Sequence, residues 1–136
     1  MKFLNQIIAI LLLLSCCFAL NANAQGVVLQ SFQVKSQGAD ILVKWEINDE
    51  HQISSYNLYR KYGEQGSFDH ISLVKANGTG SYVYLDNDIF KNQSNLITYE
   101  LRVVKNGRTY RFQSTLSHNP TAVQRTWGSI KSMFRQ

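Results

Sequence analysis

Cysteine is almost absent from this 136-residue chain, and where it occurs is informative. Both cysteines, Cys16 and Cys17, lie close to the N-terminus within a largely apolar segment. The remainder of the chain therefore cannot form a disulfide framework, and it cannot use a thiol as a nucleophile or a metal ligand. A domain built from it has to be held together by side-chain packing alone.

Catalytic motifs are lacking as well. The three histidines, His51, His70 and His118, are far apart in sequence. The chain contains no nucleophile elbow, no phosphate-binding loop and no pair of histidines at metal-ligand spacing. We therefore predict no enzymatic activity, no cofactor, and no catalytic, cofactor-binding or metal-binding residues. Asp86 and Asp88 are interpreted as residues of a solvated turn.

The charge is moderately positive and unevenly placed. Lys and Arg number 14 against 9 Asp and Glu, a formal charge of +5. Three of the cations, Arg125, Lys131 and Arg135, lie near the C-terminus where there is no acid. A nucleic-acid-binding protein would carry a basic stripe through its body, so we expect no nucleic-acid partner.

Long hydrophobic runs are lacking too, and the longest one, residues 7–14, follows Lys2 and precedes the small-residue triplet Ala22-Asn23-Ala24. This layout is typical of a secretory signal peptide. The run is too short for a bilayer core of about 30 Å, which requires roughly 20 apolar residues. We predict a signal peptide at residues 1–24 and an exported protein that resides in the periplasm, on the cell surface or outside the cell.

The segment Leu13-Leu14-Ser15-Cys16 offers an alternative, because it resembles the lipobox of bacterial lipoproteins. Acylation of Cys16 would then anchor the chain to the outer membrane. We favour simple cleavage, since the residues after Cys16 are apolar where a polar tether is usual. The Ala-Asn-Ala-Gln ending resembles export signals of Bacteroidota.

After Val27, apolar residues recur at every second position in short runs, which is the period of half-buried strands. The clearest run is Ile41, Val43, Trp45 and Ile47. Further runs that predict strands contain Phe32 and Val34, Tyr56 and Leu58, Ile71 and Leu73, Val83 and Leu85, Tyr99, Leu101 and Val103, and Tyr110 and Phe112. Asn106-Gly107 suits a type I′ hairpin turn, in which both central residues need positive φ. Seven antiparallel strands, each with one apolar face, must pack as two sheets.

Three of these runs, with their order, resemble the fibronectin type III domain, an immunoglobulin-like β-sandwich. They are Ile41-Leu-Val-Lys-Trp45, Tyr56-Asn-Leu-Tyr59-Arg and Thr98-Tyr-Glu-Leu-Arg-Val103. The resemblance implies that Trp45 is a core residue of the second strand. It also implies that Tyr99, in the sixth strand, returns its hydroxyl to nearby backbone as a tyrosine corner. We assign residues 25–117 to this domain.

The apolar period changes after Pro120. Val123, Trp127, Ile130 and Phe134 recur at intervals of three and four, which predicts one amphipathic α-helix with Met133 on the same stripe. Asn119 suits its N-cap and Pro120 its first turn. The predicted architecture is therefore an all-β, seven-stranded antiparallel sandwich plus a basic C-terminal helix at residues 118–136. Arg125, Lys131 and Arg135 lie outside the apolar stripe.

A helix this short is marginal alone in water, so its stripe needs a surface. Three surfaces remain open at this point: the domain's own sandwich, a groove on a partner protein, and a membrane interface. We predict that the helix docks a protein partner, which makes the chain a non-catalytic interaction module or accessory subunit of a complex in the envelope or on the cell surface. The residues predicted to bind the partner are Val123, Arg125, Trp127, Ile130, Lys131, Met133, Phe134 and Arg135. A weak membrane-surface contact is a further expectation.

Aromatic residues of the strands support an alternative function. Tyr59, Tyr62, Phe68, Tyr82 and Tyr84 exceed what a small core requires. A row of them on an exposed sheet face could stack on sugar rings. The alternative reading is thus a carbohydrate- or surface-binding module.

Overall fold

The computed structural model describes residues 26–89 and 95–119, together with single residues in both terminal segments. Those single residues are Gln6, Thr121, Thr126, Trp127, Ile130, Lys131, Met133 and Phe134. The predicted signal peptide, apart from Gln6, and the predicted acylation site at Cys16 lie outside the described residues. So does most of the predicted C-terminal helix. No helix is present as an element among the described residues, so that helix stays a prediction.

Seven antiparallel strands in two sheets form the described domain, as the alternating pattern predicts. The strands are β1 (Leu29–Gln37), β2 (Asp40–Ile47), β3 (Ile53–Tyr62), β4 (Asp69–Lys75), β5 (Ser81–Asp86), β6 (Leu96–Lys105) and β7 (Arg108–Ser117). One sheet has the order β1-β2-β5, and the other has the order β4-β3-β6-β7. The all-β prediction is therefore confirmed.

Alternation along β2 shows how the sequence specifies the two layers. Ile41, Val43, Trp45 and Ile47 are buried, while the residues between them are half-buried on the outer face. A shift of the register by one residue would turn all four apolar side chains into water. The hairpin between β6 and β7 helps to fix the register of its strands, because Asn106 and Gly107 both have positive φ (51° and 72°) as a type I′ turn requires.

An aromatic triad fills the core between the sheets. Trp45 stacks on its cross-strand neighbour Tyr82, with ring centroids 5.3 Å apart and planes 12° apart. Tyr56, from β3 of the other sheet, lies 5.7 Å from Trp45 and 4.8 Å from Tyr82. Because the three rings come from both sheets, this triad joins the two layers of the sandwich.

Asp86 is a buried carboxylate, which corrects its interpretation as part of a solvated turn. It is 1% exposed, and both of its oxygens lie 2.6–2.7 Å from Nη1 of Arg60 in the opposite sheet. Tyr99 donates its hydroxyl to Oδ2 of Asp86 at 2.6 Å. The expected tyrosine corner to backbone is therefore wrong: a buried carboxylate needs partners, and Tyr99 serves as one of them. Burial and the charge of Asp86 raise the pKa of Tyr99, which keeps its hydroxyl neutral as a donor.

Strand β5 faces the core with the opposite set of side chains from the one predicted. Tyr82, Tyr84 and Asp86 point inward, whereas Val83 and Leu85 are 62% and 44% exposed. The inward position gives Asp86 its partner in the opposite sheet, the guanidinium of Arg60. It also lets the hydroxyl of Tyr82 donate to Glu50, while Tyr84 packs against the core.

At the other end of the sandwich, Glu50 of the β2–β3 loop accepts hydrogen bonds from two core tyrosines. Its Oε1 accepts hydrogen bonds of 2.5 Å from the hydroxyls of both Tyr56 and Tyr82. Burial alone would raise the pKa of Glu50, but these two hydroxyls and the backbone N–H groups of Gly78 and Gly80 lower it below its usual value. The loop is thereby fixed to the aromatic triad.

Glu50→Gln should destabilise the fold at pH 7 by about 1 to 2 kcal/mol, because it replaces charge-assisted hydrogen bonds with neutral ones in a partly solvated place. A carboxylate whose pKa is depressed by folding stabilises the protein above its unfolded pKa, and this contribution is lost as the pH falls through its folded pKa. The wild type should thus lose this contribution below about pH 4.5, whereas the variant should not. Urea unfolding across this range measures both effects.

The control for this prediction is Glu46→Gln, which removes a carboxylate paired with Lys44 on the outer face of β2. This variant should unfold close to the wild type at pH 7, because exposed ion pairs contribute little. Equal losses in the two variants would contradict the role assigned to Glu50.

Candidate functional site

The structure describes five of the eight residues predicted to bind a partner. Trp127, Ile130, Lys131, Met133 and Phe134 are described, whereas Val123, Arg125 and Arg135 lie outside the described residues. We call the five described residues the tail site.

Four of the five tail-site residues are apolar, and all four are exposed. The exposed fraction is 59% for Trp127, 38% for Ile130, 72% for Met133 and 84% for Phe134. Trp127 and Phe134 are the large aromatic side chains that the described part of the chain leaves mostly in water. The sandwich was one of the surfaces that could have buried these four side chains, but it leaves them exposed.

Lys131 connects the tail site to the sandwich. Its ammonium lies 3.0 Å from a carboxylate oxygen of Asp40, the first residue of β2, and both side chains are partly buried. Such a pair contributes about 0.5 to 1 kcal/mol. It is enough to favour a position for the tail site beside the start of β2, but not to bury its apolar side chains.

A second contact lies at the same end of the sandwich, before the segment that contains the tail site. His118, which follows β7 and is buried, lies with its Nδ1 2.6 Å from the hydroxyl oxygen of Ser36 near the end of β1. The backbone N–H of His118 donates to the carbonyl of Asn95 at 2.7 Å. The residue that directly follows β7 is therefore held to β1 of one sheet and to the residue before β6 of the other sheet.

The strand aromatics that could have stacked on sugars are mostly engaged by protein groups. The guanidinium of Arg102 lies 3.6 Å from the ring centroid of Tyr59, and the ring of His70 meets Tyr59 edge-on. Lys61 lies over the ring of Phe68 at 5.2 Å. Tyr82 stacks on Trp45 in the core, and Tyr84 packs against the core residues. Tyr62 is half-buried, with Arg60 over its ring and its pKa raised by burial to about 12.

The outer face of the four-stranded sheet carries a polar network that the sequence did not single out. Glu100, which is 2% exposed, accepts hydrogen bonds of 2.5 Å from Arg102 and Gln113. Burial would raise the pKa of Glu100, but Arg102 and Gln113 lower it. The network holds the guanidinium of Arg102 over the ring of Tyr59, so this face presents a cation where the alternative function needs an open ring. The alternation of residue types along β6 could not predict this polar network, because Glu100 and Arg102 have the pattern of ordinary outward-facing residues.

The structure separates the three histidines. His51 lies in the turn before β3, His70 packs on Tyr59, and His118 contacts Ser36. Within the described residues, no group of three or more His, Cys, Asp or Glu side chains could hold a metal ion. None of the described residues belongs to a helix that is long and apolar enough to cross a membrane.

No protein-family model matches the chain, and no curated protein sequence matches it. Among solved structures, the chain is similar to wild type OgpA from Akkermansia muciniphila, with a TM-score of 0.54 and 16% sequence identity. The similarity covers 70% of this chain but only 28% of the OgpA chain. At this identity it supports the β-sandwich fold and no finer relationship.

Proposed function

We propose that the chain is an exported, non-catalytic, fibronectin type III-like module that docks a protein partner through its tail site. It would act as an accessory subunit of a complex in the cell envelope or on the cell surface. One observation carries the proposal: Trp127, Met133 and Phe134 are more than half exposed, while the strand aromatics are buried or half-buried. Large apolar side chains that recur at three- and four-residue intervals and remain exposed support an interaction site, because the fold itself does not bury them.

The finer assignment of the sandwich rests on its topology. The three-stranded sheet β1-β2-β5 and the four-stranded sheet β4-β3-β6-β7 together have the two-sheet, seven-stranded antiparallel layout of immunoglobulin-like sandwiches. Trp45 in the second strand and Tyr99 in the sixth strand are both buried, as that resemblance implies. The assignment to exported proteins of Bacteroidota rests on the N-terminal pattern alone.

The tail site has the composition of a binding hot spot. Trp127 and Phe134 supply large apolar area, and aromatic residues dominate the binding energy of protein interfaces. The ion pair between Lys131 and Asp40 restricts the tail before binding. Part of the entropy that association would otherwise cost is therefore already lost in the free protein.

A protein partner fits better than a membrane. Each cation near an anionic lipid surface contributes only about 1 kcal/mol, and of the three cations in this segment Lys131 is engaged by Asp40. The remaining attraction is too weak to hold the chain on lipid without deep insertion of the aromatic residues. A protein groove supplies apolar contact without requiring that charge.

The double variant Trp127→Ala/Phe134→Ala should lose the partner and keep its stability. We expect a protein captured from an envelope extract by the wild type to bind the variant at least about tenfold more weakly, since hot-spot truncations cost 2 kcal/mol or more (about 30-fold). The affinity for that captured protein, measured by calorimetry, and a thermal melt check the two halves of this prediction.

The matched control is Leu73→Ala, which removes a side chain of similar exposure (55%) from β4, far from the tail in sequence. This control should bind the captured protein as the wild type does. If both variants bind normally, or if binding to anionic vesicles rather than to a protein is what the double variant loses, the proposal fails.

A further inference from the structure

Strand β5 forms an open edge of its sheet with apolar side chains in water. The sheet order β1-β2-β5 leaves one side of β5 without a neighbouring strand in the described part of the chain. Ser81, Val83 and Leu85 point outward, and Val83 and Leu85 are 62% and 44% exposed. An exposed apolar edge strand is a template for pairing with another strand.

The backbone groups of the same residues point to the open edge. The N–H of Ile47 donates to the carbonyl of Gly80, so these two residues form a hydrogen-bonded pair in the β2–β5 ladder. Because such pairs alternate in an antiparallel ladder, Tyr82, Tyr84 and Asp86 also bond to β2. The N–H and C=O groups of Ser81, Val83 and Leu85 are therefore directed away from β2.

The other three edge strands carry features that discourage pairing, and β5 does not. Strand β4 has exposed charges at both ends and a register shift, β1 has exposed Lys35 and a register shift, and β7 has exposed Arg108 and Arg111. In β5 the one charged residue, Asp86, is buried and paired with Arg60. Charges and bulges are the usual protection of an edge.

We propose that β5 pairs antiparallel with β5 of a second copy of this chain. A two-fold axis at Val83 places Val83 opposite Val83 of the second copy and Ser81 opposite its Leu85. In this register every edge-facing N–H and C=O of Ser81, Val83 and Leu85 finds a partner. The two three-stranded sheets become one continuous sheet, with the tyrosines of both copies still on the core side.

Charge complementarity on the neighbouring strand supports a second copy as the occupant. Strand β4 lies on the same flank of the sandwich as β5, since the other two edge strands, β1 and β7, contact each other on the opposite flank. It runs from exposed Asp69 to exposed Lys75. Within the described part of the chain, neither side chain takes part in an ion pair. The two-fold axis reverses the direction of the second copy, so the Asp69 end of one β4 approaches the Lys75 end of the other.

Val83→Lys is the first test. The wild type should sediment as a concentration-dependent dimer, and this variant should raise the dimer dissociation constant by roughly tenfold or more, because two ammonium groups then face each other. Val83 is mostly exposed, so the variant should fold, and its thermal melt checks this. Gln33→Lys adds the same charge to β1, the opposite edge of the same sheet, and should leave the dimer unchanged.

Two further variants test the register. Lys75→Glu should weaken the dimer, and Asp69→Lys/Lys75→Glu, which exchanges the two charges, should restore it. Val83→Cys should form a disulfide-linked dimer on mild oxidation, since directly opposite residues have Cα atoms about 5.5 Å apart, within the range a disulfide needs. Gln33→Cys should form no such disulfide-linked dimer. The wild type, oxidised in the same way, shows whether Cys16 or Cys17 forms an intermolecular disulfide.

The proposal is overturned if the wild type is a monomer at every concentration up to roughly 1 mM. It is also overturned if Val83→Lys and Gln33→Lys weaken a dimer equally. A dimer that survives Val83→Lys but dissociates when Trp127 and Phe134 are replaced would place the interface on the tail site instead, and would equally refute pairing through β5.

Discussion

Trp45→Ala is expected to destabilise the protein by about 3 to 5 kcal/mol, the cost of deleting a large buried aromatic side chain. Trp45 is fully buried and touches both other rings of the aromatic triad. Aromatic pairs contribute about 0.5 to 1.5 kcal/mol beyond the area they bury, so losing the central ring weakens the contact between the sheets as well. Since a domain of this size has about 5 to 15 kcal/mol of stability in total, we expect little folded protein at 37 °C.

The chain contains its own control, because its second tryptophan, Trp127, is 59% exposed. Trp127→Ala should change the free energy of unfolding by less than about 0.5 kcal/mol, as exposed substitutions usually do. Urea unfolding followed by circular dichroism compares the two variants. A Trp45→Ala protein that melts cooperatively near the wild-type temperature would refute the assignment of Trp45 to the core.

Asp86→Ala should be the second most damaging change, at about 3 to 5 kcal/mol, because it leaves a buried cation without its counter-charge. The side chain of Arg60 is only 13% exposed, and its Nε has no hydrogen-bond partner among the described residues, so Asp86 is its main compensation. Tyr99 would lose its acceptor in the same variant. Equilibrium unfolding in urea measures the loss.

Because Asp86→Ala loses stability by leaving the charge of Arg60 unpaired, removing that charge as well should restore stability. Replacing both partners, in Arg60→Met/Asp86→Leu, removes the charge and its counter-charge together, and buried ion pairs can often be exchanged for apolar residues at little cost. We expect the double variant to recover most of the stability that Asp86→Ala loses. If Asp86→Ala alone unfolds within about 1 kcal/mol of the wild type, the cross-sheet ion pair does not have the structural role assigned to it.

The strands and their layering could be predicted because they depend on local patterns. The alternation in β2 places four apolar side chains on one face, and the structure buries all four. Asn106-Gly107 predicted its turn for an equally local reason, since few other pairs of residues tolerate positive φ at both positions. Neither feature depends on the residues of the other sheet.

The phase of β5 and the partner of Tyr99 could not be predicted, because both depend on residues distant in sequence. Val83 and Leu85 are more apolar than Tyr82 and Tyr84, so alternation alone points them inward. What reverses the strand is Arg60, which lies on another sheet and requires Asp86 beside it. A local pattern contains no information about a counter-ion 26 residues away in the chain.

The tail site was predicted from its three- and four-residue spacing, and the structure leaves its apolar side chains exposed. That these side chains bind a partner stays a prediction. The contact between Lys131 and Asp40 was not predictable, because it joins residues 91 positions apart. If β5 pairs two copies, the dimer carries two tail sites. A partner with two grooves would then bind more tightly through effective concentration, without any new contact.

The most direct test of the central claim, that the tail site and not the sandwich binds the partner, is iodide quenching of tryptophan fluorescence. The chain has two tryptophans, and Trp45 is inaccessible while Trp127 is mostly exposed. The free protein should show one quenchable and one protected component, and the complex with the captured partner should show only protected emission. A complex in which Trp127 remains as quenchable as in the free protein would contradict the account.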